Sequence, residues 1–377
     1  MWTKQHMNDI NNTINKREEQ LSLPVVEEAK LNIKNRRYLG SKYKMLEFIW
    51  EVVKENCSDV ETVADIFGGT GVVADRFRTE GKKILINDIL YSNYLSYWTW
   101  FSDEKVDYKK IEKMINEFNA VEVTEDNYMS IHFGDTYFTM ENARKIGFIR
   151  QRIEELNDSL GFREKAILIT SLLYAMDKAA NTVGHYDAYR RKLDSTKQIK
   201  LLVPEYKDTL NTGNIIFQED ANQLVRVIKA DLVYIDTPYN SRQYGDAYHL
   251  LENVAEWKKP TVTGVAKKMI DRLQIKSDYC TAKAPTAFAD LISHIDSIYI
   301  LVSFNNMAQK GVGRSNAKIS AEEIIETLGT RGDVKTFDLA FNAFTTGKTK
   351  IDDHKEILYL CKVNRGIQND GTKGKIL

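Results

Sequence analysis

The segment from Asp231 to Asn240, DLVYIDTPYN, carries the most chemical information in the chain. An apolar run, Leu232 to Ile235, leads into Asp236, Thr237, Pro238 and Tyr239. Proline restricts the residue before it to extended conformations, which fixes the Thr237 carbonyl beside the Asp236 carboxylate. Two acceptors then converge on one point. An exocyclic NH2 on a planar ring supplies two donors for them, and Tyr239 can stack on the ring that carries the amine. The lone pair of such an amine is delocalised into the ring. Accepting both hydrogens favours a pyramidal nitrogen and offsets the positive charge that grows as an electrophile is attached. The pattern suits direct group transfer to a planar amine, with Asp236, Thr237, Pro238 and Tyr239 as the catalytic set. No cysteine lies near this segment, which argues against a covalent cysteine adduct.

A second segment has the makings of a cofactor loop. Asp65, Ile66 and Phe67 lead into Gly68, Gly69, Thr70 and Gly71. Glycine permits positive φ and close approach of the backbone to a ligand, and the helix that follows points its N-terminus at the same place. Asp88 ends the next apolar run, where a carboxylate can accept from a ribose diol. Asp220 sits shortly before the run that leads to Asp236. It can accept from an amino group of the cofactor or cap the helix Ala221–Val227, and the two roles are compatible.

The elements that must position these residues can be read from periodicity. Lys44 to Val53 reads as an amphipathic helix, Thr62 to Phe67 as a buried strand, Val72 to Phe77 as the opening of a helix, and Lys83 to Ile86 as a second strand. This is a parallel β-α-β unit. Residues 103–215 are charged and helical in pattern, as in Arg150–Leu156 and Lys165–Ala180, with a loop over Asn181–Arg191. Strand patterns return at Leu232 to Ile235, Ser297 to Val302 and Glu356 to Lys362. The expected fold class is therefore α/β, Rossmann-like, interrupted by a helical insert. Residues 35–102 and 216–365 form the sheet domain, 103–215 the insert, 1–34 a charged extension and 366–377 a flexible tail. Ligands of such sheets bind at the carboxyl ends of the strands, so the glycine turn, Asp88 and Asp236 should share one rim.

Composition excludes some classes. The 377 residues are 43% hydrophobic and 28% charged, and the formal net charge is zero. Zero net charge argues against a general basic coat but allows a local basic groove, for which Arg190, Arg191 and Lys192 or Lys258, Lys259, Lys267 and Lys268 are candidates. No run of eighteen apolar residues and no signal-peptide core are found, so a cytoplasmic protein without membrane contact is expected. Cys57, Cys280 and Cys361 are far apart and odd in number, and the histidines lack ligand spacing, so neither a disulfide framework nor a metal site is expected.

On these motifs the chain resembles the Dam-like class of DNA adenine methyltransferases, in the order cofactor loop, target-recognition insert, catalytic tetrapeptide. The resemblance runs from about Arg36 to Val363 and extends to the branch that includes adenine methylases of type II restriction–modification systems. RYLGSK, from Arg37 to Lys42, looks like the family's N-terminal cofactor motif, in which Tyr38 and Lys42 help to hold the methionine part of S-adenosylmethionine. Asp236 to Tyr239 looks like its catalytic motif, usually Asp-Pro-Pro-Tyr; here Thr237 departs from the pattern, although the group required is a main-chain carbonyl. The resemblance implies the S-adenosylmethionine-dependent methyltransferase fold, duplex DNA as partner, and a flipped adenine as substrate, with a cognate restriction endonuclease as counterpart but no direct contact to it. It further implies DNA contacts from His185, Tyr186 and Arg190 in the insert and from Arg242 and Tyr244 after the tetrapeptide. Phe341 or Phe344, before the last strand, could cover the other face of the base, although core packing is the commoner role for either.

The tetrapeptide alone leaves other planar amines open: the amino group of cytosine, adenine in RNA, or glutamine in protein. A non-catalytic DNA-binding protein of the same fold would not need Asp236, Pro238 and Tyr239 together with an intact glycine loop. A dinucleotide-dependent oxidoreductase would leave the tetrapeptide without a role.

Overall fold

The computed structural model describes residues 30–195, 197–238, 241–305, 317–340 and 355–364. Tyr239, Phe341, Phe344, most of the N-terminal extension and the 366–377 tail lie outside the described residues.

In chain order the helices of four or more residues are α1 (Leu46–Asn56), α2 (Val72–Thr79), α3 (Tyr91–Phe101), α4 (Tyr108–Ala120), α5 (Tyr128–Phe133), α6 (Met140–Glu155), α7 (Phe162–Ala179), α8 (Ala221–Leu224), α9 (Tyr244–Ala247), α10 (His249–Glu256), α11 (Ala284–His294) and α12 (Ala321–Gly329). The strands are β1 (Thr62–Asp65), β2 (Lys83–Asn87), β3 (Ile215–Phe217), β4 (Leu232–Ile235), β5 (Val262–Thr263), β6 (Lys268–Met269), β7 (Tyr299–Asn305), β8 (Gly332–Ala340) and β9 (Lys355–Val363).

Seven strands form one sheet in the order β3-β2-β1-β4-β7-β9-β8. β3, β2, β1, β4 and β7 are parallel neighbours, while β9 runs antiparallel between β7 and β8. Side chains alternate between the faces with period two. Val63, Ile84, Leu232, Tyr234 and Leu301 pack with α1, α2 and α3 on one face. Ala64, Leu85, Val233, Ile235 and Ile300 pack with α8, α11 and α12 on the other. Burial on both faces explains why these strands read as continuous apolar runs. The result is the expected Rossmann-like α/β sandwich.

Boundaries shift for local reasons. The strand expected over Thr62–Phe67 ends at Asp65, because Ile66 and Phe67 already turn toward the glycine loop. The strand expected at Ser297 begins two residues later and runs to Asn305, and the last strand gains one residue at each end. Besides the small β5–β6 ribbon, two strands of the seven-stranded sheet are not apparent in the sequence. β3 is three residues long and half exposed, and β8 is a charged edge strand, so neither shows a buried-strand signature.

The insert is helical, as expected, with α4 to α7. It is not a closed body. Its core residues Ile111, Met129, Ile146 and Leu172 belong to one cluster with Leu90 and Leu95 around α3 and with Leu250 and Val254 of α10. Arg150 on α6 makes that junction. It is 1% exposed, and its guanidinium donates to the carbonyls of Val254 (Nε, 2.7 Å) and Ala255 (Nη2, 3.2 Å) while packing over the Trp257 ring. These carbonyls lie in the last turn of α10, where no intrahelical partner remains. Loss of the arginine strands both in a buried place.

Replacing Arg150 with alanine should therefore lower unfolding free energy by about 2–4 kcal/mol, since each stranded buried acceptor costs about 1–3 kcal/mol. Urea unfolding should show a lower midpoint at unchanged slope. A loss below about 1 kcal/mol would sink this account of the junction.

Candidate active site

Because β3, β2, β1 and β4 are parallel, their carboxyl ends lie side by side. The chain places an acid at or just after the end of each: Asp220, Asp88, Asp65 and Asp236 respectively. They line one cavity of about 710 Å³, together with Tyr38, Lys42, Phe67, Gly68, Gly69, Thr70, Pro238 and Tyr244. Nine of the ten residues assigned to the cofactor from sequence thus meet at one wall. The tenth, Gly71, does not line the cavity. It has φ +80° and precedes α2, and a Cβ there would press on the Phe101 ring at 3.1 Å. Its requirement for glycine comes from backbone conformation and packing.

The glycine loop is held by its neighbours. The Gly68 N–H donates to the Asn87 carbonyl, Tyr97 Oη donates to the Gly69 carbonyl, and the Gly69 N–H donates to Asp88 Oδ2 at 3.0 Å. Gly69 has φ +53°, and a Cβ on it would meet the Tyr38 ring at 3.1 Å. Asp88 also accepts from Asn93 Nδ2 (2.8 Å, on Oδ2) and from the Leu90 N–H (2.9 Å, on Oδ1). A carboxylate has about four acceptor sites, so three are used and room remains for about one more donor on Oδ1. Asp220 caps α8, accepting from the Gln223 N–H at 3.1 Å, and also faces the cavity. Both of its sequence-derived roles remain compatible.

Asp65 is 1% exposed, and its Oδ1 has no hydrogen-bond partner among the described residues. Burial first, then the charges of Asp236 and Asp88, push its carboxyl up to about 8. Asp236 is treated differently. Lys42 Nζ lies 2.9 Å from Asp236 Oδ1, with Lys42 only 4% exposed, and Glu356 Oε2 stands 4.0 Å from the same ammonium. Burial raises the Asp236 carboxyl to about 6, and the Lys42 cation keeps it from rising further. With Oδ1 taken by Lys42, Oδ2 is left for a substrate donor. Thr237, next in the chain, has a side chain 2% exposed, so the backbone after Asp236 is anchored by packing.

Lys42 is brought to Asp236 by the turn that precedes α1. Gly40 has φ +73°, the Leu39 N–H donates to Tyr248 Oη at 2.7 Å, and the Tyr38 and Tyr248 rings stack at 4.6 Å. Tyr248 sits at the start of α10, so the helix fastened by Arg150 also holds the lysine segment. The same helix carries Glu252, which accepts from the N–H groups of Tyr91 and Ser92 at 2.9 Å each and so caps α3.

The residues assigned to DNA contact separate. His185, Arg190 and Arg242 do not line the cavity; Arg190 and Arg242 are about half exposed, while His185 is largely covered. His185 Nδ1, Arg242 Nε and Lys268 Nζ all gather on Asp187, at 3.7, 3.6 and 2.8 Å. Tyr244 lines the cavity and donates to the Leu39 carbonyl, which makes it part of the active-site wall. Tyr186 corrects the sequence reading. It is 2% exposed, and its hydroxyl donates to Asp177 Oδ1 at 2.8 Å, so its side chain anchors the loop from within and does not face outward. Sequence reasoning missed Glu356 and Asn93. Glu356 reaches the rim only because β9 runs antiparallel, which puts its first residues at the edge where the parallel strands finish.

Carboxyl NMR titration should place Asp236 near pH 6, with the signal assigned through Asp236→Asn. In Lys42→Met the midpoint should move upward, because the cation that favours the ionised form is gone. A midpoint that stays in place would show that Lys42 does not set the charge of Asp236.

The family model for the D12 class N6 adenine-specific DNA methyltransferase matches residues 38–304. The modification methylase StsI of Streptococcus sanguinis is 37% identical over 287 residues, covering 72% of this chain and 44% of that protein. The modification methylase LlaI of Lactococcus lactis subsp. lactis is 33% identical, over 72% of this chain and 46% of that protein. The chain thus spans about half the length of these two relatives. The type II methyltransferase M.NlaIII of Neisseria lactamica is 31% identical over 84% of this chain and 95% of that protein. The residues that line the cavity at the strand ends and the segment from Asp236 to Tyr239 all fall within the matched span, and the chain belongs to the family of D12 class N6 adenine-specific DNA methyltransferases.

Proposed function

We propose that the chain methylates the exocyclic N6 amine of adenine in duplex DNA, using S-adenosylmethionine, as the modification half of a restriction–modification system. The observation that carries this reading is the Lys42–Asp236 pair at 2.9 Å on the wall of the glycine-loop cavity. It keeps an ionised acceptor beside the Thr237–Pro238 turn, where an amine must be received.

The residues present fit the cofactor. The cavity has room for a nucleoside with an amino-acid tail, Asp88 keeps an acceptor position for a ribose hydroxyl, and the buried Asp65 Oδ1 lacks a partner. Tyr38, Lys42, Asp65, Phe67, Gly68, Gly69, Thr70, Asp88 and Asp220 would hold it. When bound, S-adenosylmethionine supplies an electrophilic methyl group on a cationic sulfur.

The chain's own groups do the rest. Asp236 Oδ2 and the Thr237 carbonyl accept the two amine hydrogens, turn the nitrogen lone pair toward the donor, and stabilise the positive charge that develops on it. Pro238 fixes the direction of that carbonyl. Tyr239 stacks on the base. An adenine in a duplex must leave the helix to reach this cavity, at a cost of a few kcal/mol. His185, Arg190 and Arg242, with the 103–215 insert, would hold the flanking duplex. The counterpart of the activity is a cognate endonuclease that cuts the same site unmodified, and both would act in the cytoplasm. Among the described residues no helix is long and apolar enough to cross a membrane, and no cluster of metal-ligating side chains occurs.

Purified protein incubated with tritiated S-adenosylmethionine and mixed-sequence duplex DNA should place label in N6-methyladenine on nucleoside analysis. Asp236→Ala should reduce that label by about 10²-fold or more. Label in cytosine, in RNA or in protein glutamine would replace the reading with another planar amine. The single-turnover rate should fall about tenfold per pH unit below about 6, because protonated Asp236 is a poor acceptor, and flatten above it. Lys42→Met should shift this acidic limb upward; a pH-independent rate would remove Asp236 ionisation from the mechanism.

A further inference from the structure

A buried polar chain runs from the DNA-side loop to the cofactor cradle. Tyr186 Oη donates to Asp177 Oδ1 at 2.8 Å. Asp177 Oδ2 faces Arg36 Nε at 3.7 Å. Arg36 Nη1 donates to Asn93 Oδ1 at 2.5 Å, and Asn93 Nδ2 donates to Asp88 Oδ2 at 2.8 Å and to Tyr38 Oη at 3.1 Å. Tyr186, Asp177, Arg36 and Asn93 are each at most 6% exposed. The chain therefore crosses from residues 181–191 through α7 and α3 to the acid beside the glycine loop.

One link in it is incomplete. Arg36 Nε and Asp177 Oδ2 are both buried and make no close hydrogen bond to each other or to another side chain, while the Arg37 backbone N–H also favours the ionised Asp177. A charged N–H···O bond is ordinarily about 2.8 Å long, so a movement of about 1 Å would close this one. An oppositely charged pair left unbonded in a low-dielectric interior gains strongly from closure. An open and a closed arrangement of the pair would differ in free energy, and groups at either end of the chain would bias them. Its cofactor end is Asp88 and Tyr38. Its other end is the loop whose outer face carries His185 and Arg190.

We propose that the Arg36–Asp177 pair is a joint that closes when DNA orders the 181–191 loop, and that through it DNA and cofactor strengthen each other's binding. The inference rests on the reading of the cavity as the S-adenosylmethionine site and of the loop as a DNA contact. Arg36, Asp177 and Tyr186 are positioning residues; none of them lines the cavity. Reciprocity is required by linkage: whatever factor DNA applies to cofactor affinity, cofactor applies to DNA affinity.

The test measures S-adenosylmethionine affinity by calorimetry with and without a methylatable duplex, in the wild type, Tyr186→Phe and Asp177→Asn. In the wild type, DNA should tighten cofactor binding about fivefold or more. Tyr186→Phe keeps the ring and removes only the bond to Asp177, and the factor should drop below about twofold while cofactor affinity without DNA stays within about twofold. Asp177→Asn keeps the shape and removes the charge facing Arg36, and should lose the factor as well, which covers the case in which Tyr186→Phe does not fold. A role confined to stability would lower the melting temperature and leave the factor intact. The Arg36 Nε–H resonance should move downfield when both ligands are bound to the wild type and stay in place in Asp177→Asn. Cofactor and DNA binding with no mutual effect, or an undiminished factor in both variants, overturns the joint alone. Absence of cofactor binding to the wild type overturns the reading of the cavity and the joint with it.

Discussion

An ionised carboxylate at the end of a buried strand needs a cation within a few ångströms, or it takes up a proton instead. Asp236 meets this condition through Lys42, and much of the surrounding architecture serves to deliver that lysine. It comes from a turn upstream of the first strand, far from Asp236 in sequence. The turn is fastened by Tyr38 stacking on Tyr248 and by the Leu39 N–H on Tyr248 Oη. Tyr248 begins α10, which is buried against the insert, and Arg150 of the insert binds the far end of the same helix. The insert is thus tied to the active site by packing as well as by any contact it makes with DNA.

Asp65 illustrates the alternative outcome in the same wall. It sits one strand away, more deeply buried than Asp236, with no lysine beside it, and its carboxyl is pushed up to about 8. Two neighbouring acids of identical chemistry are separated by about two pH units because one has a cation beside it, while the other is more deeply buried and faces the charges of Asp236 and Asp88. A low-dielectric rim of parallel strand ends gathers acids easily; which of them ionises is decided by what else is brought to it.

Local signals made the parallel half of the fold legible. β1, β2 and β4 are short apolar runs ending in Asp65, Asn87 and Asp236, and strand direction then forces their ends onto one edge, so the cavity wall followed from sequence almost complete. Features set by distant contacts were not legible. Glu356 looks like any charged residue before a strand until β9 is known to run antiparallel. Asn93 lies inside a helix, and its importance comes from the three side chains it joins, Arg36, Asp88 and Tyr38. Tyr186, amid histidine, aspartate and arginine, has the company of a surface residue, yet its ring turns inward because Asp177 offers a buried acceptor. Polar neighbours in sequence say little about which side of a loop a side chain takes. The same limit applies to the insert, whose helices were visible but whose shared core with α3 and α10 was not.

The placement of β9 between β7 and β8 bears on how the protein is made. The sheet cannot close in the order in which its strands leave the ribosome. β7 ends at Asn305 and β9 begins at Lys355, so 49 residues lie between the two pairing partners. At a synthesis rate of roughly 5–20 residues per second, β7 waits roughly 3–10 s with one edge unpaired. Its residues Ile300, Leu301 and Val302 are at most 1% exposed in the finished fold, so the waiting edge is strongly apolar. β8 emerges in that interval and must not take the vacant place beside it. The charged character of β8, with Asp333, Lys335 and Asp338, disfavours such a mispairing and holds the gap for the strand that carries Glu356. The acid that completes the Lys42 site is therefore among the last parts of the described fold to arrive, and nascent chains stalled before it are open-edged species that chaperones would be expected to hold.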